Sequence, residues 1–236
     1  MGSQVKNALV TGANRGLGFE FVRQLAAQGW RVFACCRNPQ QAEALNALMP
    51  ASQGKISVHA LSVEDGAQIK ELAQHLDGQP IDLLINNAGR YSGREFGIFG
   101  QTDTAEWIKS FEVNSIAPLK MAEAFVEHVG RSQMKTIVII TSKMGSVGDN
   151  SSGGSYLYRS SKAAVNIVAK SLSIDLRPRG IKVALLHPGW VKTDMGGPNA
   201  LITAEESVSA MLSLIGRLDW QDSGTFLAFD GAEIPW

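Results

Sequence analysis

The sequence predicts an α/β fold in which helices cover both faces of a parallel sheet, and three observations support this prediction. Apolar runs rich in β-branched residues alternate with segments of helical periodicity, which is the order typical of consecutive βαβ units. The run KTIVII at residues 135–140 is apolar in succession, as expected of a strand buried on both faces. Neither a low-complexity linker nor an internal repeat divides the 236 residues. We therefore predict one domain over residues 1–236.

The strands are predicted where short runs of β-forming residues stand between glycine, proline and polar residues. In chain order they are expected at residues 5–10, 31–36, 55–63, 80–89, 135–140, 181–186 and 224–229. The helices between them show apolar residues at helical spacing and are expected at residues 19–30, 40–49, 64–76, 104–128, 155–176 and 203–216. Pro39 stands at a favoured helix start, and Thr203 with Glu206 forms a capping box before the last helix.

The composition excludes several classes of protein. The chain is 44% hydrophobic and 19% charged, and its 22 basic and 22 acidic residues give a formal net charge of zero, so a nucleic-acid-binding surface is not expected. No apolar run approaches the roughly 20 residues of a membrane span, and the N-terminus lacks the apolar stretch of a signal peptide. Cys35 and Cys36 are adjacent and unsuited to a disulfide with each other, which favours the cytoplasm. The four histidines lack metal-ligand spacing, so no metal site is expected.

A glycine turn follows the first predicted strand. Gly12, Gly16 and Gly18 lie between a strand and a helix, which is the context that dinucleotide binding requires. Glycines let the backbone approach a pyrophosphate, and the helix N-terminus offers free N–H groups. The spacing differs from the common Gly-x-Gly-x-x-Gly, and an ordinary tight turn is the alternative. The residues of the turn that we expect to contact a cofactor also include Asn14, Arg15 and Leu17.

The end of the second strand bears on the type of cofactor. An acidic residue at this point usually accepts hydrogen bonds from the adenosine ribose, but here Cys36 is followed by Arg37. With Arg15 in the glycine turn, two guanidinium groups are available for a 2′-phosphate, so NADP(H) is favoured over NAD(H). The alternative is that Arg37 is an ordinary surface arginine. Cys36 would make cofactor binding sensitive to oxidants only if its thiol were reactive, and an inert buried thiol is the simpler interpretation.

Three residues of one stretch suggest proton transfer to a carbonyl group. Tyr158 and Lys162 are four residues apart on a predicted helix, which places a phenol and an ammonium on one face. A nearby cation should lower the pKa of Tyr158 from about 10, and a phenol tuned toward neutral pH can exchange protons. Ser142 follows the fifth strand, at the sheet edge where α/β proteins bind ligands. A Tyr-x-x-x-Lys pair alone also occurs by chance on exposed helices.

Two asparagine positions are further candidates. Asn86-Asn87-Ala88-Gly89 ends the fourth strand, where small residues suit close contact with adenine and ribose. Asn114 lies inside a predicted helix although asparagine is a weak helix former. A local task, such as holding a water at a loosened helical turn, is one explanation, and an exposed polar residue is the other.

In chain order, TGANRGLG, NNAG, Asn114, Ser142, Tyr158-x-x-x-Lys162 and His187-Pro-Gly resemble the short-chain dehydrogenase/reductase family over the whole chain. HPGWVKTDMGG and FDGAEIPW resemble the C-factor and sniffer-like carbonyl reductases within it. The resemblance implies a three-layer Rossmann-type domain with seven parallel strands and a substrate loop at about residues 188–203. It also implies catalytic roles: Tyr158 as general acid/base, Lys162 lowering its pKa and binding the nicotinamide ribose, Ser142 orienting the carbonyl oxygen, and Asn114 holding a water of the proton relay.

The resemblance also extends the expected cofactor site. Residues 188–193 should bind the nicotinamide end, with Thr193 near the carboxamide. The family often has Asp-Val after the third strand, and Ser62-Val63 in its place affects the expected affinity for adenine rather than the identity of the cofactor. The complete set of expected cofactor contacts is Gly12, Asn14, Arg15, Gly16, Leu17, Gly18, Arg37, Ser62, Val63, Asn87, Ala88, Gly89, Tyr158, Lys162, Pro188, Gly189, Val191 and Thr193.

These observations predict an NADPH-dependent oxidoreductase that reduces aldehydes or ketones to alcohols and acts as a homodimer or homotetramer. Phe96, Met144, Tyr156 and Trp190 are expected to form an apolar pocket for a small carbonyl substrate. The alternative is an NAD(P)-binding signalling or redox-sensing protein of the C-factor type with little turnover. A 3-oxoacyl-carrier-protein reductase would need a basic surface for its acidic carrier, which the neutral charge balance does not support.

Overall fold

Seven parallel strands form the central sheet of the computed structural model, which describes residues 5–93 and 97–236. In chain order the strands are β1 (Asn7–Thr11), β2 (Arg31–Cys36), β3 (Ile56–Ala60), β4 (Leu83–Asn86), β5 (Thr136–Ile140), β6 (Lys182–His187) and β7 (Phe226–Ala228). Their order across the sheet is β3-β2-β1-β4-β5-β6-β7, so the winding reverses between β1 and β4. Ligands of such sheets bind outside the carboxyl ends of the strands at this reversal.

Helices connect the strands and pack on both faces of the sheet. Those of the described residues are α1 (Gly16–Ala27), α2 (Glu43–Leu48), α3 (Gly66–His75), α4 (Thr104–Phe111), α5 (Ala117–Arg131), α6 (Tyr156–Asp175) and α7 (Ala204–Arg217). Thr203 caps α7 as predicted, since the Glu206 N–H donates to Thr203 Oγ1 (3.2 Å) and the Thr203 N–H donates to Glu206 Oε2 (2.8 Å). The residue types at the helix start therefore determine its first turn.

Two apolar cores lie on opposite faces of the sheet because successive strand residues point to alternate sides. Val10 belongs to the core that α1 and α7 complete, whereas its neighbour Leu9 belongs to the core that α3, α5 and α6 complete. Both side chains are fully buried. Coverage of both faces explains why the inner strands are apolar along their length, and the three-layer α/β fold with seven parallel strands is confirmed.

The predicted elements are present, but two predicted helices are interrupted. The helix expected at residues 40–49 begins as the 3₁₀ turn Pro39–Gln41, and α2 starts only after Ala42, whose backbone is non-helical. The helix expected at residues 104–128 is divided by the π turn Glu112–Ile116. Pro118 explains this break, because its ring lacks the N–H that would bond to the carbonyl of Asn114 and crowds that carbonyl.

Across the described ranges, no helix has the length and apolar character needed to cross a membrane. Within the same ranges, no group of three or more His, Cys, Asp or Glu side chains is arranged to hold a metal ion.

Candidate active site

The glycine turn connects β1 to α1 at the reversal point of the sheet. Gly12 has a φ of +66°, and a Cβ built on it would lie 2.9 Å from Cα of Ala88, so neither the conformation nor the space admits a side chain. A Cβ on Gly18 would overlap the carbonyl oxygen of Gly12 and lie 2.6 Å from Nδ2 of Asn87. Gly18 therefore allows α1 to pack closely on β1, whereas Gly12 and Gly16 border an open cavity.

Asn87 supports the glycine turn from the end of β4. Its Nδ2 donates hydrogen bonds to the carbonyl oxygens of Thr11 (2.9 Å) and Gly12 (3.2 Å). The hydroxyl of Thr11 accepts hydrogen bonds from the N–H groups of Asn87 and Ala88, both at 3.0 Å. The Asn87 side chain therefore fixes the backbone of the turn. Sequence reasoning does not single out Thr11, although its place immediately before the glycine turn is a usable signal.

A cavity of about 700 Å³ lies outside the carboxyl ends of β1, β2, β4 and β5. Most of the expected cofactor contacts line it: Gly12, Asn14, Arg15, Gly16, Leu17, Arg37, Val63, Asn87, Ala88, Gly89, Tyr158, Lys162, Pro188 and Thr193. Its size lies within the range of cavities that bind small molecules and cofactors.

Four expected cofactor contacts lie outside this lining, namely Gly18, Ser62, Gly189 and Val191. Ser62 is engaged elsewhere, since its N–H donates to Oε1 of Gln68 (2.8 Å) and its hydroxyl to Oε2 of Glu64 (3.5 Å). Val191 is buried in a parallel bridge with Ile202. For these four residues, contact with a cofactor stays a prediction.

The segment after β6 folds back over the cavity. A Cβ on Gly189 would lie 2.7 Å from Cδ1 of Ile202, so this glycine permits the close return of the segment. The return brings the methyl group of Thr193 to 3.4 Å from the Cβ position of Gly16. Pro188 and Thr193 consequently face the glycine turn across the cavity.

Arg15 and Arg37, the two expected phosphate ligands, both line the cavity. Arg15 Nη1 lies 3.4 Å from Oδ2 of Asp194. The two side chains are 69% and 80% exposed, so this ion pair contributes little to the stability of the fold. Asp194 and Glu64 are carboxylates of the same lining that sequence reasoning does not identify. The carboxylate that usually follows β2 is absent as expected, because Cys36 and Arg37 stand there.

Cys36 lines the cavity but is only 3% exposed. Burial raises the pKa of its thiol, and burial raises the pKa of the adjacent Cys35 as well. A thiol that stays protonated reacts slowly with oxidants. Both cysteines are free, and the interpretation of Cys36 as an inert buried thiol is the one this environment favours.

Ser142, Tyr158 and Lys162 meet where β5 ends and α6 begins. Nζ of Lys162 lies 5.8 Å from the centroid of the Tyr158 ring and donates a hydrogen bond to the carbonyl oxygen of Ile140 at 3.0 Å. Ser142 is buried, and its hydroxyl accepts a hydrogen bond from the Met144 N–H at 3.2 Å and lies near enough to Tyr158 to lower the pKa of that phenol. A Cβ on Gly145 would lie 2.7 Å from the carbonyl carbon of Lys162, so this glycine allows α6 to approach the end of β5. Sequence reasoning does not identify Gly145.

The pKa of Tyr158 differs from the expectation that Lys162 lowers it. Burial raises the pKa of Tyr158 to about 12, and the hydrogen bond with Ser142 only partly opposes this effect. Lys162 does not compensate, because its ammonium is bonded to Ile140 and burial lowers its own pKa to about 8. Tyr158 is therefore protonated at neutral pH, which is the form that an acid needs to donate a proton.

Asn114 occupies the middle of the π turn and is 1% exposed, so the interpretation as an exposed polar residue is wrong. Its Oδ1 accepts a hydrogen bond from the Arg90 N–H (2.8 Å), and its Nδ2 donates to the Arg90 carbonyl and to Ser161 Oγ, both at 2.9 Å. The side-chain amide of Asn114 therefore connects the loop that follows β4 to α6. The loosened turn is present, and Pro118 leaves the Asn114 carbonyl without its α-helical donor.

Arg90 and Tyr91 also line the cavity, although sequence reasoning does not select them. The Arg90 guanidinium pairs with Glu106 of α4. The ring of Tyr91 contacts Tyr158 edge-on, with ring centroids 5.1 Å apart and an interplanar angle of 76°. Their position directly after Asn-Asn-Ala-Gly is the only sequence signal for them.

The residues expected from the sequence to form an apolar pocket do not line the cavity together. Met144, Tyr156 and Trp190 lie outside the lining of the cavity, and Trp190 donates its indole N–H to the Gly196 carbonyl at 2.8 Å. Phe96 lies outside the described residues. Tyr91 and Met195 supply part of the lining instead.

The sequence of the chain is similar to those of known proteins. A family model described as short chain dehydrogenase matches residues 6–201, which include all the candidate site residues. The C-signal protein of Myxococcus xanthus is 44% identical over 157 residues, which are 66% of this chain and 93% of that protein.

Two solved structures match nearly the whole chain. Carbonyl reductase Sniffer of D. melanogaster has a TM-score of 0.91 and 30% identity, and the match covers 99% of this chain and 100% of that one. NADPH-bound carbonyl reductase from chicken fatty liver has a TM-score of 0.90 and 35% identity, with coverage of 99% and 100%. The similarity in fold therefore extends over nearly the whole chain.

Proposed function

The chain belongs to the short-chain dehydrogenase family, and from this premise we propose that it is an NADPH-dependent reductase of aldehydes or ketones. The observation that carries the proposal is the meeting of Ser142, Tyr158 and Lys162 where β5 ends, with Tyr158 and Lys162 in the lining of a cavity whose opposite wall is the glycine turn. A proton donor and a glycine turn suited to a dinucleotide therefore face the same cavity. The similarity to two carbonyl reductases supports this class of reaction.

The cavity fits a nicotinamide dinucleotide. Its volume is about 700 Å³, its floor is a glycine turn where a side chain on Gly12 would collide with Ala88, and α1 begins directly beside it. Arg15 and Arg37 would hold the 2′-phosphate, and Val63 would contact the adenine. Pro188, Thr193 and Lys162 would hold the nicotinamide half. When bound, the coenzyme supplies the hydride for the carbonyl carbon.

The residues of the chain supply the proton and the polar environment of the reaction. Tyr158 is protonated at neutral pH, with a pKa that burial raises to about 12, and it donates a proton to the carbonyl oxygen as negative charge develops there. The hydroxyl of Ser142 orients the same oxygen and stabilises that charge by a hydrogen bond. Lys162 places an ammonium 5.8 Å from the centroid of the Tyr158 ring, where its positive charge would stabilise the phenolate that remains after the proton has been donated. We assign to Asn114 the support of a water in this relay, through the carbonyl that lacks its α-helical donor because of Pro118.

The test is the oxidation of NADPH and NADH with a panel of aldehydes, ketones and quinones. We expect turnover with NADPH that Tyr158→Phe lowers by at least about 100-fold, since the variant loses only the acidic hydroxyl. Tyr156→Phe is the matched control, because Tyr156 is 39% exposed, lies outside the cavity lining and keeps its ring in the variant. Turnover that survives Tyr158→Phe unchanged contradicts the catalytic assignment.

A second candidate function is an NAD(P)-binding signalling or redox-sensing protein, and the 44% identity to C-signal is the observation that favours it. On this alternative the chain binds NADPH with measurable affinity, but no carbonyl compound causes turnover above the Tyr158→Phe background. The presence of Asn114, Ser142, Tyr158 and Lys162 together favours the reductase, because binding alone does not require a proton donor.

We further propose that the chain is one cytoplasmic domain that assembles as a homodimer or homotetramer, with residues 188–203 as the substrate loop.

Exposed apolar side chains on two helices support the proposed assembly. Ile167 and Ile174 lie two turns apart on α6 and are 62% and 63% exposed, and Ile108 of α4 is 56% exposed. Apolar helix faces of this kind are typical of interfaces between subunits. Light scattering should give an oligomer for the wild type and smaller species for Ile167→Glu, whereas a monomeric wild type contradicts the proposal.

A further inference from the structure

Tyr91 contacts the proton donor directly. Its ring and that of Tyr158 meet edge to face, 5.1 Å apart at 76°, which is a favoured geometry for two aromatic rings. Tyr91 lines the cavity on the side of Tyr158 and Lys162. No other aromatic ring of the described residues is recorded in contact with Tyr158.

The backbone before Tyr91 is tied to α6 through Asn114. The Asn114 amide bonds to both the N–H and the carbonyl of Arg90, at 2.8 and 2.9 Å. The same amide donates to Ser161 Oγ at 2.9 Å, and that hydroxyl donates to the carbonyl of Tyr158 at 2.8 Å. The position of Tyr91 is thus linked to the helical turn that carries Tyr158.

The far end of Tyr91 is tied to the same helix. Its hydroxyl lies 3.5 Å from Oγ of Ser155, the residue that precedes the first turn of α6. Ser155, Tyr158 and Ser161 follow at intervals of three residues and lie along one side of the helix start. Tyr91 therefore lies along this side of the helix start, and its ring contacts Tyr158. Its hydroxyl is close to Ser155 before Tyr158 in the chain, and its backbone is connected through Asn114 to Ser161 after it.

We propose that Tyr91 is a positioning residue, which holds the ring of Tyr158 in the orientation that brings its hydroxyl to Ser142 and to the carbonyl oxygen of the substrate. The inference rests on the proposed reductase function. Tyr91 acts through Tyr158 and exchanges no proton itself. Because the edge-on ring contact requires an aromatic side chain, the ring of Tyr91 contributes more than its hydroxyl.

Two variants separate the ring from the hydroxyl. Tyr91→Phe keeps the edge-on contact and should retain kcat within about 2-fold, whereas Tyr91→Leu should lower kcat by about 10- to 100-fold, since small misplacements of a catalytic group have effects of this size. The Kd for NADPH should stay within about 2-fold in both, and KM for the carbonyl should change far less than kcat. A larger solvent deuterium isotope effect on kcat in Tyr91→Leu, with a wild-type value in Tyr91→Phe, would report slower proton donation.

Several outcomes would overturn the inference. Wild-type kcat in Tyr91→Leu, or a rise in KM with kcat unchanged, means that Tyr91 only lines the substrate site. Equal losses in both variants mean that the hydroxyl, and not the ring, matters. If urea unfolding shows that Tyr91→Leu does not fold, Tyr91→Met provides an unbranched apolar side chain for the same comparison.

A separate measurement distinguishes failure of this inference from failure of the proposed function. The position of the Tyr158 ring can be compared in crystal structures of the wild type and Tyr91→Leu. This comparison does not depend on whether the protein turns over a substrate. We expect the Tyr158 hydroxyl to move by about 1 Å or more in the variant. An unmoved ring overturns the inference even if the wild type is an active reductase, and a moved ring supports it even if no carbonyl in the panel is reduced.

Discussion

The two halves of the cavity are held in place by different kinds of contact. The glycine-turn half (residues 11–18 and 86–89) is held by partly buried hydrogen bonds between Asn87, Thr11 and the backbone, and no larger side chain fits at Gly12 or Gly18. The substrate half (residues 188–203, which line the cavity in part, and the neighbouring residues 142–155) includes loops with exposed apolar side chains, such as Val147 (77%) and Leu201 (75%). Its ion pair between Lys143 and Asp149 is also exposed.

This difference indicates which changes each half tolerates. A position whose space is filled by backbone atoms cannot relax around an added atom, so substitution there should change the structure and the affinity for coenzyme together. Exposed loops carry fewer such constraints, and substitutions there should change catalysis or specificity while stability is preserved. The following variants test this contrast.

The largest effect is expected for Gly18→Ala in the glycine-turn half. The added Cβ would overlap the Gly12 carbonyl and approach Nδ2 of Asn87, so α1 must move away from β1. We expect affinity for NADPH to fall by more than about 100-fold and the free energy of unfolding to fall by about 1–3 kcal/mol. NADPH fluorescence titration and urea unfolding measure the two effects. Gly66→Ala is the control, because a Cβ there meets no atom within 4 Å.

A loss of NADPH affinity in Gly66→Ala as large as that in Gly18→Ala would show that any added methyl group disturbs the protein. The contrast between the two halves would then have no basis in local space.

A smaller effect, confined to catalysis, is expected for Ser142→Ala in the substrate half. The variant removes the hydroxyl that bonds to Tyr158 and would stabilise charge on the carbonyl oxygen, and we expect kcat to fall by about 100-fold with the Kd for NADPH unchanged. Steady-state kinetics and coenzyme titration separate the two quantities. Ser151→Ala, an exposed serine of the same loop, should keep wild-type kcat.

If Ser142→Ala weakens NADPH binding as strongly as it lowers kcat, the hydroxyl supports the coenzyme half and the assignment to the carbonyl oxygen fails.

Arg37→Ala should affect the choice of coenzyme more than the rate. Arg37 is exposed in the cavity lining, so its loss should leave the fold intact and raise KM for NADPH by about 10-fold, the value of one charge-assisted contact to phosphate. KM for NADH should change less than about 2-fold. Arg177→Ala is the control, because Arg177 is an exposed arginine of the turn Arg177–Arg179 that lies outside the cavity lining. Equal changes for both coenzymes would argue against a 2′-phosphate contact.

The glycine-turn half could be predicted from the sequence because its geometry depends on residue types that few other arrangements require. Glycines at positions 12 and 18 and the Asn-Asn-Ala-Gly segment indicate a close approach of backbone segments, and the structure contains that approach. The π turn at Asn114 was also predictable in outline, since asparagine and a following proline both disfavour a regular helix.

The remaining parts of the site depend on contacts between residues far apart in the chain. Tyr91 meets Tyr158 only because β4 ends and α6 begins at the same edge of the sheet. The pKa of Tyr158 depends on how deeply it is buried, and helical spacing to Lys162 gives no information on burial. For the same reason, aromatic residues in a loop, such as Trp190, could not be assigned to a cavity wall from the sequence.

The smallest effect concerns His187, which ends β6 at the substrate half. Nδ1 of His187 is buried and has no hydrogen-bond partner among the described residues. Burial lowers the pKa of His187 to about 4, with Lys143 acting in the same direction and Asp149 and Asp230 opposing it. The unfolded chain therefore binds a proton near its ordinary pKa of about 6.5 while the folded protein does not, so stability falls as pH decreases below about 6.5. Between about pH 7.5 and about pH 5.5 this group should cost about 1 kcal/mol of unfolding free energy.

Urea unfolding of His187→Gln at these two pH values measures that contribution, because glutamine cannot take up the proton. We expect the decrease in stability on acidification to be smaller than in the wild type by about 1 kcal/mol, with the remainder arising from His59 and His128, whose pKa values burial also lowers. His75→Gln, an exposed histidine at the end of α3, should keep most of the wild-type dependence. An unchanged dependence in His187→Gln would mean that His187 is solvated in the folded protein, and the substrate half would then be more open than its buried Nδ1 indicates.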